Sequence, residues 1–253
     1  SDMDRHKSKI ESIAKDYHGS SQPDLHIENL CQQFEMDWLR EKIRHQSCVI
    51  DLGYGDGVVS PALAKFTELT VVEGSEDLCD IARKFLPPSV NVVNEFFEDY
   101  SPNTLADFVV ASHVLEHVED VDFFIEELER VSNSGYIEVP TRLEDNLVDV
   151  NEKAHIWWIN FDDINHSLFI TKRKQIVEPF LSVSTAQNLR KFFRDSLVTE
   201  IFWETKIDYL ISENNNDFEF YKKLSFLEII KKFFSKKINL FYIIYTSYFL
   251  IRE

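Results

Sequence analysis

Residues 49–57 read VIDLGYGDG, and this stretch decides the fold. The short apolar run Ser47 to Leu52 (SCVIDL) reads as a buried strand that carries an acid, Asp51, at its end. Gly53, Gly55 and Gly57 then fall at alternate positions, and Val58 to Phe66 follows with helical spacing, its Pro61 in the first turn where proline is tolerated. Glycine is placed where φ must be positive or where the backbone must approach something closely. The chain has six glycines, and Gly53, Gly55, Gly57 and Gly74 all lie in one short stretch. So frugal a use of glycine, concentrated there, implies a ligand loop whose helix N-terminal N–H groups suit an anion. The competing pattern, a dinucleotide fingerprint, asks for Gly or Ala three residues after its second glycine. Val58 stands there, which disfavours a nicotinamide oxidoreductase.

Working outward, strands and helices alternate. Leu69 to Glu73 reads as a second strand, Glu76 to Phe85 as a helix and Val90 to Asn94 as a third strand. Ala106 to Ser112 (ADFVVAS) is a fourth strand, Asp120 to Val131 a helix and Gly135 to Val139 a fifth strand. Near-continuous apolar strands between helical patterns predict a parallel sheet covered on both faces. Ligands of such sheets bind beyond the carboxyl ends of the strands, near the switch point. Glu73 ends the second strand, where a carboxylate accepts hydrogen bonds from both hydroxyls of a ribose; a solvated strand-end acid is the alternative.

Before the loop, residues 4–45 read as helical, with Ile27, Leu30, Cys31, Phe34, Trp38 and Leu39 on one face and a break at Gly19 to Pro23. After Pro140 the rhythm changes to an aromatic segment with His155, Trp157, Trp158, Phe161, His166 and Phe169. HIWWINF and HSLFITK, joined by DDIN, predict a hairpin. Thr185 to Asp195 and Phe226 to Lys237 read as helices, Leu197 to Thr205 and Asn239 to Ile251 as strands.

Composition narrows the partners. The chain has 253 residues, with 27 Lys plus Arg against 44 Asp plus Glu, a formal net charge of −17. A nucleic-acid binder needs a basic footprint, so none is expected as the main ligand. The longest apolar run, Leu240 to Ile251, falls short of the roughly 20 residues of a spanning helix. No secretory leader is read at the polar N-terminus. Cys31, Cys48 and Cys79 show no metal-ligand spacing and read as free thiols of a reducing, cytoplasmic protein. Lys231, Lys232, Lys236 and Lys237 beside Ile229, Ile230, Phe233 and Phe234 form a basic amphipathic helix. It suits peripheral contact with an anionic membrane, or a helix covering the sheet with its lysines in solvent. Oligomeric state is left open.

Three segments, VIDLGYGDG, VVEGSEDLCDIA and ADFVVASHVLEHVEDVDFFIEELERV, together with GYIEVP, resemble the class I S-adenosylmethionine-dependent methyltransferases over about residues 46–140. The resemblance implies an α/β, Rossmann-like, seven-stranded, mostly parallel sheet with helices on both faces. An N-terminal helical cap (1–45) would precede a methyltransferase domain (46–253). That domain would hold a cofactor half (46–140) and an aromatic-rich acceptor-binding insertion after strand five (about 146–182). It implies S-adenosyl-L-methionine as cofactor and S-adenosyl-L-homocysteine as product. Gly53, Gly55 and Gly57 would line the methionine part, with Asp51 organising the loop. Glu73 would hold the ribose, with Gly74 and Ser75 beside it. Glu95 and the backbone around Phe96 would meet the adenine, and Ser112 and His113 would stand beside the sulfonium. Tyr54, where a smaller residue is usual, and Ser134-Gly135, where a glycine pair is usual, depart from the pattern.

Methyl transfer is an in-line displacement in which positioning supplies most of the catalysis. A hydroxyl acceptor also needs a base near the working pH, for which histidine is the usual choice. His113 and His155 are the candidates, and His117 reads as ordering the loop. Asp162, Asp163 and Asn165 offer oxygens to Mg²⁺ but equally suit a solvated turn, and no metal is assigned. Trp157, Trp158 and Phe161 suit an apolar wall over the acceptor or core packing; Tyr17 and His18 suit a lid. The expected activity is methylation of a hydroxyl on a small molecule or saccharide. The segment after EVPTRLEDN resembles bacterial methyltransferases of surface-polysaccharide precursors, and also those of quinone biosynthesis. The alternatives are N-methylation of an amine or protein side chain, and a cofactor-binding scaffold subunit without turnover.

Overall fold

The computed structural model describes Ile43 and residues 47–55, 57–148 and 151–212. Strand β1 (Cys48–Leu52) sends Val49 and Asp51 to one face of the sheet and Ile50 and Leu52 to the other, and all four are buried. A strand apolar on both sides is stable only in the middle of a covered parallel sheet, and that is where it lies. It pairs in parallel with β2 (Glu68–Val72) and with β4 (Phe108–Ser112). β3 (Asn91–Val93) adds beyond β2, and β5 (Ser134–Pro140) beyond β4. The edge strand β8 (Val198–Glu204) is antiparallel to β5, so the order is β3-β2-β1-β4-β5-β8. The chain winds outward from β1 to β3 and then returns to β4 on the other side, which puts the switch point between β1 and β4.

The helices start where capping side chains dictate. The Ser75 hydroxyl accepts from the Leu78 amide at the start of α2 (Glu76–Phe85), with acids in its first turn and Arg83 and Lys84 in its last. Asp120 caps α3 (Val121–Val131) through the Phe123 amide. Helix α1 (Val59–Leu63) is shorter than the sequence suggests. The residues of α1 and α2 pack on one face of the sheet with Val49, Val71 and Val110. Those of α3 pack on the other face with Ile50, Val109 and Ile137. Gly135 is needed where β5 squeezes between its neighbours. A Cβ there would lie 2.6 Å from the Val109 carbonyl oxygen and 2.8 Å from Trp203 Nε1.

After β5 come α4 (Arg142–Leu147), α5 (Asn151–Ala154) and a hairpin of β6 (Trp157–Asp162) and β7 (Ser167–Lys172). The DDIN turn is held by Asp162, whose Oδ1 accepts from the Ile164 and Asn165 amides while its Oδ2 takes the Asn165 side-chain amide. Helix α6 (Val183–Leu197) leads into β8, and β9 (Asp208–Ser212) then pairs in parallel with β7. The hairpin and β9 thus form a separate sheet, β6-β7-β9. It packs through Trp157, Ile159, Leu168 and Ile170 on the α3 side of the main core. Tyr209 ties β9 to α3 by donating to Asp122 at 2.6 Å.

Six strands form the main sheet among the described residues, against the seven expected. The expected last strand, Asn239 to Ile251, lies outside them. So do the basic helix with Lys231 to Lys237, the cap (apart from Ile43), the Tyr17–His18 lid and Cys31. Of the described cysteines, Cys48 is exposed and Cys79 is buried, and both are free.

Candidate functional site

A cavity of about 270 Å³ opens at the carboxyl ends of β1, β2 and β4. Asp51, Gly53, Gly55, Glu73, Gly74, Glu95, Phe96, Ser112, His113, His117 and His155 all line it. The structure therefore brings most of the sequence-derived site residues to one place. Gly57 and Ser75 serve it from behind. Gly57 (φ +75°) lies under the Tyr54 ring, whose hydroxyl would stand 2.8 Å from a Cβ at that position. Ser75 caps α2 and offers its amide to Glu73.

The glycine loop is built around Glu73. This buried carboxylate accepts the Tyr54 amide at Oε2 and the Ser75 amide at Oε1, each at 2.8 Å. Burial raises its pKa, and the amides of Ser75, Tyr54, Gly55 and Gly74 work against that rise. One carboxylate thus ties the β1 loop to the start of α2. Gly55 (φ +54°) has no atom within 4 Å of a would-be Cβ, so its backbone faces open space. Asp51 is 1% exposed and accepts from the Ser60 hydroxyl at 2.6 Å. Burial pushes its carboxyl up to about 7; the Ser60 bond opposes this and Glu73 adds to it. Tyr54 is buried with its ring against Gly57 and also borders the cavity.

The opposite end of the cavity is built from three histidines. His113 follows β4 in the left-handed region (φ +54°). Its Nδ1 stands 3.1 Å from Glu116 and its Nε2 3.2 Å from Glu138. Burial and the Arg190 guanidinium push its pKa down, but the two carboxylates outweigh them and hold it up to about 9. At neutral pH these partners hold His113 as an imidazolium, paired with both carboxylates.

His117 and His155 differ. Their rings meet edge to face, with centroids 4.5 Å apart. Burial and the neighbouring His155 push His117 down to about 4, so it is neutral. Its Nδ1–H donates to the Ala154 carbonyl at 3.0 Å. His155 donates Nδ1–H to the Asp145 carboxylate at 2.5 Å. Asp145 also accepts from Trp158 Nε1 at 2.7 Å and stands 2.6 Å from the Arg173 guanidinium. The Ile156 amide donates to the Glu116 carbonyl at 2.8 Å, which stitches the segment after His155 to the 3₁₀ turn Leu115–His117.

Several groups were not singled out from the sequence. Glu138 is buried on β5 and binds Tyr136 and Arg194 as well as facing His113. Its partners hold its carboxyl well below the usual range despite burial. Asp145 comes from α4, and only its buried partners reveal it. Ser112 lies 3.5 Å from Glu138. Glu95 and Phe96 reach the cavity from the segment after β3. Trp157 and Trp158 are buried away from the cavity and form core, each with its indole N–H satisfied, by Val118 and Asp145 respectively. Asp162 and Asn165 are spent on the hairpin turn.

Comparison with known proteins identifies the family. A family model described as a methyltransferase domain matches residues 26–177. No curated protein matches the chain. Among solved structures, the N-methyltransferase NodS from Bradyrhizobium japonicum WM9, in complex with S-adenosyl-L-homocysteine, is similar. Its identity is 13%, its TM-score 0.43, and the match covers 53% of this chain and 74% of that one. Coclaurine N-methyltransferase bound to N-methylheliamine and S-adenosylhomocysteine shows 16% identity and a TM-score of 0.39, over 48% of this chain and 40% of that one. The glycopeptide N-methyltransferase MtfA shows 13% identity and a TM-score of 0.39, over 44% of this chain and 54% of that one. The chain thus spans about half the length of the first similar structures. Likeness of this degree carries nothing about the acceptor.

Proposed function

The chain belongs to the methyltransferase-domain family, a family of S-adenosylmethionine-dependent enzymes, and on that premise we propose that it methylates a hydroxyl of a small molecule or saccharide. The residues at the loop end fit this cofactor. Gly55 leaves room that a Cβ would fill, and the Glu73 carboxylate lines the cavity as an acceptor for a ribose hydroxyl. Asp51, Gly53, Gly74, Ser112 and the Glu95–Phe96 segment complete the cradle. When bound there, the cofactor supplies a methyl group activated by a positive sulfur. The protein's part is to hold the acceptor in line with that methyl and exclude water, and this positioning is worth several kcal/mol by general experience.

The observation that carries an oxygen acceptor is the His117–His155 pair. Both rings line the cavity, and both have Nδ1–H committed, to a carbonyl and to a carboxylate. On each ring, when neutral, the lone pair therefore lies on Nε2. A hydroxyl is a poor nucleophile until its proton is drawn away, and lone pairs fixed at the acceptor end suit that need. The fixed cation His113 stands beside them, paired with Glu116 and Glu138, and orders the turn after β4.

The test is an acceptor screen with S-adenosylmethionine labelled in its methyl group, reading S-adenosylhomocysteine formation and the mass and position of the added methyl. Turnover on sugars or small alcohols with an O-methyl product supports the reading. Turnover on amines alone, or cofactor binding without turnover on any acceptor, refutes it.

A further inference from the structure

We infer that Glu116, His117 and His155 form a binding site for one divalent transition-metal ion at the acceptor end of the cavity. One ligand atom from each lies within 4.8 Å of the others. The tautomers are already set for it. Imidazoles that bind a metal through one nitrogen donate the other N–H to a carbonyl or a carboxylate. His117 donates to the Ala154 carbonyl and His155 to Asp145. Asp145 is itself anchored by Trp158 and Arg173. Among the described residues neither Nε2 has a hydrogen-bond partner, and both rings border the cavity.

Glu116 supplies the independent observation. It is 0% exposed; Oε1 takes His113, while Oε2 is buried without a hydrogen-bond partner. A buried carboxylate oxygen left unpaired is costly and asks for an explanation. Its neighbours are the two imidazoles, whose Nδ1–H groups are already committed to the Ala154 carbonyl and to Asp145. A cation between them satisfies all three. The scaffold is also tight: Glu116 and His117 are adjacent on the 3₁₀ turn, and the Ile156 amide bonds the Glu116 carbonyl at 2.8 Å.

Two imidazoles and one carboxylate suit Zn²⁺ and its first-row neighbours, whereas Mg²⁺ takes oxygen ligands. Bonds of about 2.1 Å would need the ligand atoms drawn in by roughly 1 Å, within the reach of small side-chain rotations. Three protein ligands leave a coordination position open, and two of them, His117 and His155, line the cavity. The binding site stands on this geometry alone. Its use, to hold an oxygen of the acceptor and lower the pKa of that hydroxyl in place of the two imidazoles it occupies, rests on the O-methylation proposed above.

The experiment strips the full chain with a chelator, dialyses it and titrates it calorimetrically with Zn²⁺, with the d–d absorption of bound Co²⁺ as a second readout. One equivalent is expected, weakened at least about tenfold by His155→Ala and by Glu116→Gln. S-adenosylhomocysteine binding is measured on each variant as proof of folding. Failure of wild type to bind a stoichiometric ion, or variants that bind like wild type, overturns the proposal. Should both variants fail to fold, the Co²⁺ spectrum of wild type decides. A low-symmetry spectrum with nitrogen ligation supports the site, and one matching free aqueous Co²⁺ overturns it. No acceptor enters these titrations, so failure of the O-methylation reading leaves their outcome untouched.

Discussion

Glu73→Gln separates what this carboxylate does for the loop from what it does for the ligand. In the protein Oε2 accepts the Tyr54 amide and Oε1 the Ser75 amide, both at 2.8 Å, with the Gly55 and Gly74 amides beside them. Glutamine has the same shape but one oxygen and one NH₂, so one loop amide must face a donor. An unpaired buried amide costs about 1–3 kcal/mol. Against that, the substitution removes a buried charge whose pKa burial already raises. The two effects oppose each other, and the stability change should stay within about 2 kcal/mol. The ligand loses more. Two ribose hydroxyls donating to a carboxylate make charge-assisted bonds of about 1.5–3 kcal/mol each; the amide loses one and reduces the other to about 1 kcal/mol. The sum is about 2–5 kcal/mol, or roughly 30- to 5000-fold in Kd. Calorimetric titration with S-adenosylhomocysteine reads the affinity, and urea unfolding of the ligand-free protein reads the stability. A folded variant whose Kd rises less than about threefold would refute the assignment of Glu73 to the ribose.

Two further predictions follow from groups packed behind the site. Asp51 has a folded pKa of about 7 against an ordinary 3.8, so the fold holds a proton that the unfolded chain releases and stability falls as pH rises between those values. Asp51→Asn abolishes that dependence; by urea unfolding the variant should gain on wild type progressively from pH 4 to 7, by at most about 4 kcal/mol, and a constant offset would contradict the burial argument. Gly135→Ala places a Cβ 2.6 Å from the Val109 carbonyl oxygen, whereas Gly55→Ala meets no atom within 4 Å. The first should lose about 1–3 kcal/mol by forcing β4 and β5 apart, the second about 1–2 kcal/mol for its positive φ alone. Thermal unfolding that ranks Gly55→Ala as the worse folder would overturn the packing reading of Gly135.

The cofactor half was legible because its signals are local. Glycines with positive φ mark the loop, and apolar runs mark the strands. Helix α2 spans Glu76–Phe85 as expected, because Ser75 caps it and Leu86 leaves the helical region. β9 was not legible. DYLIS is short and leaves Leu210 exposed, and it is a strand because β7 offers it an edge. The hairpin could be read, but not that it leaves the main sheet for a second one. The histidines show the same division. Their presence near the end of β4 was visible, but their protonation was not. What makes His113 a cation is Glu138, 25 residues away on the neighbouring strand, together with Glu116. What fixes the His155 tautomer is Asp145, in a charged stretch that reads as surface and is in fact buried.

The parallel pairing of β9 with β7 has a bearing on how this protein can be re-engineered. An insertion closed on itself is a cassette, removable at its two ends and exchangeable between relatives. Here the hairpin is completed by a strand that arrives only after β8, and Tyr209 anchors that strand to α3. A chimera that grafts residues 141–182 alone would leave β7 with an open edge and strand β9 without its mate. Exchange of the hairpin between relatives therefore requires two separate crossovers, with residues 205–212 travelling alongside it, and drift in one segment is constrained by the other.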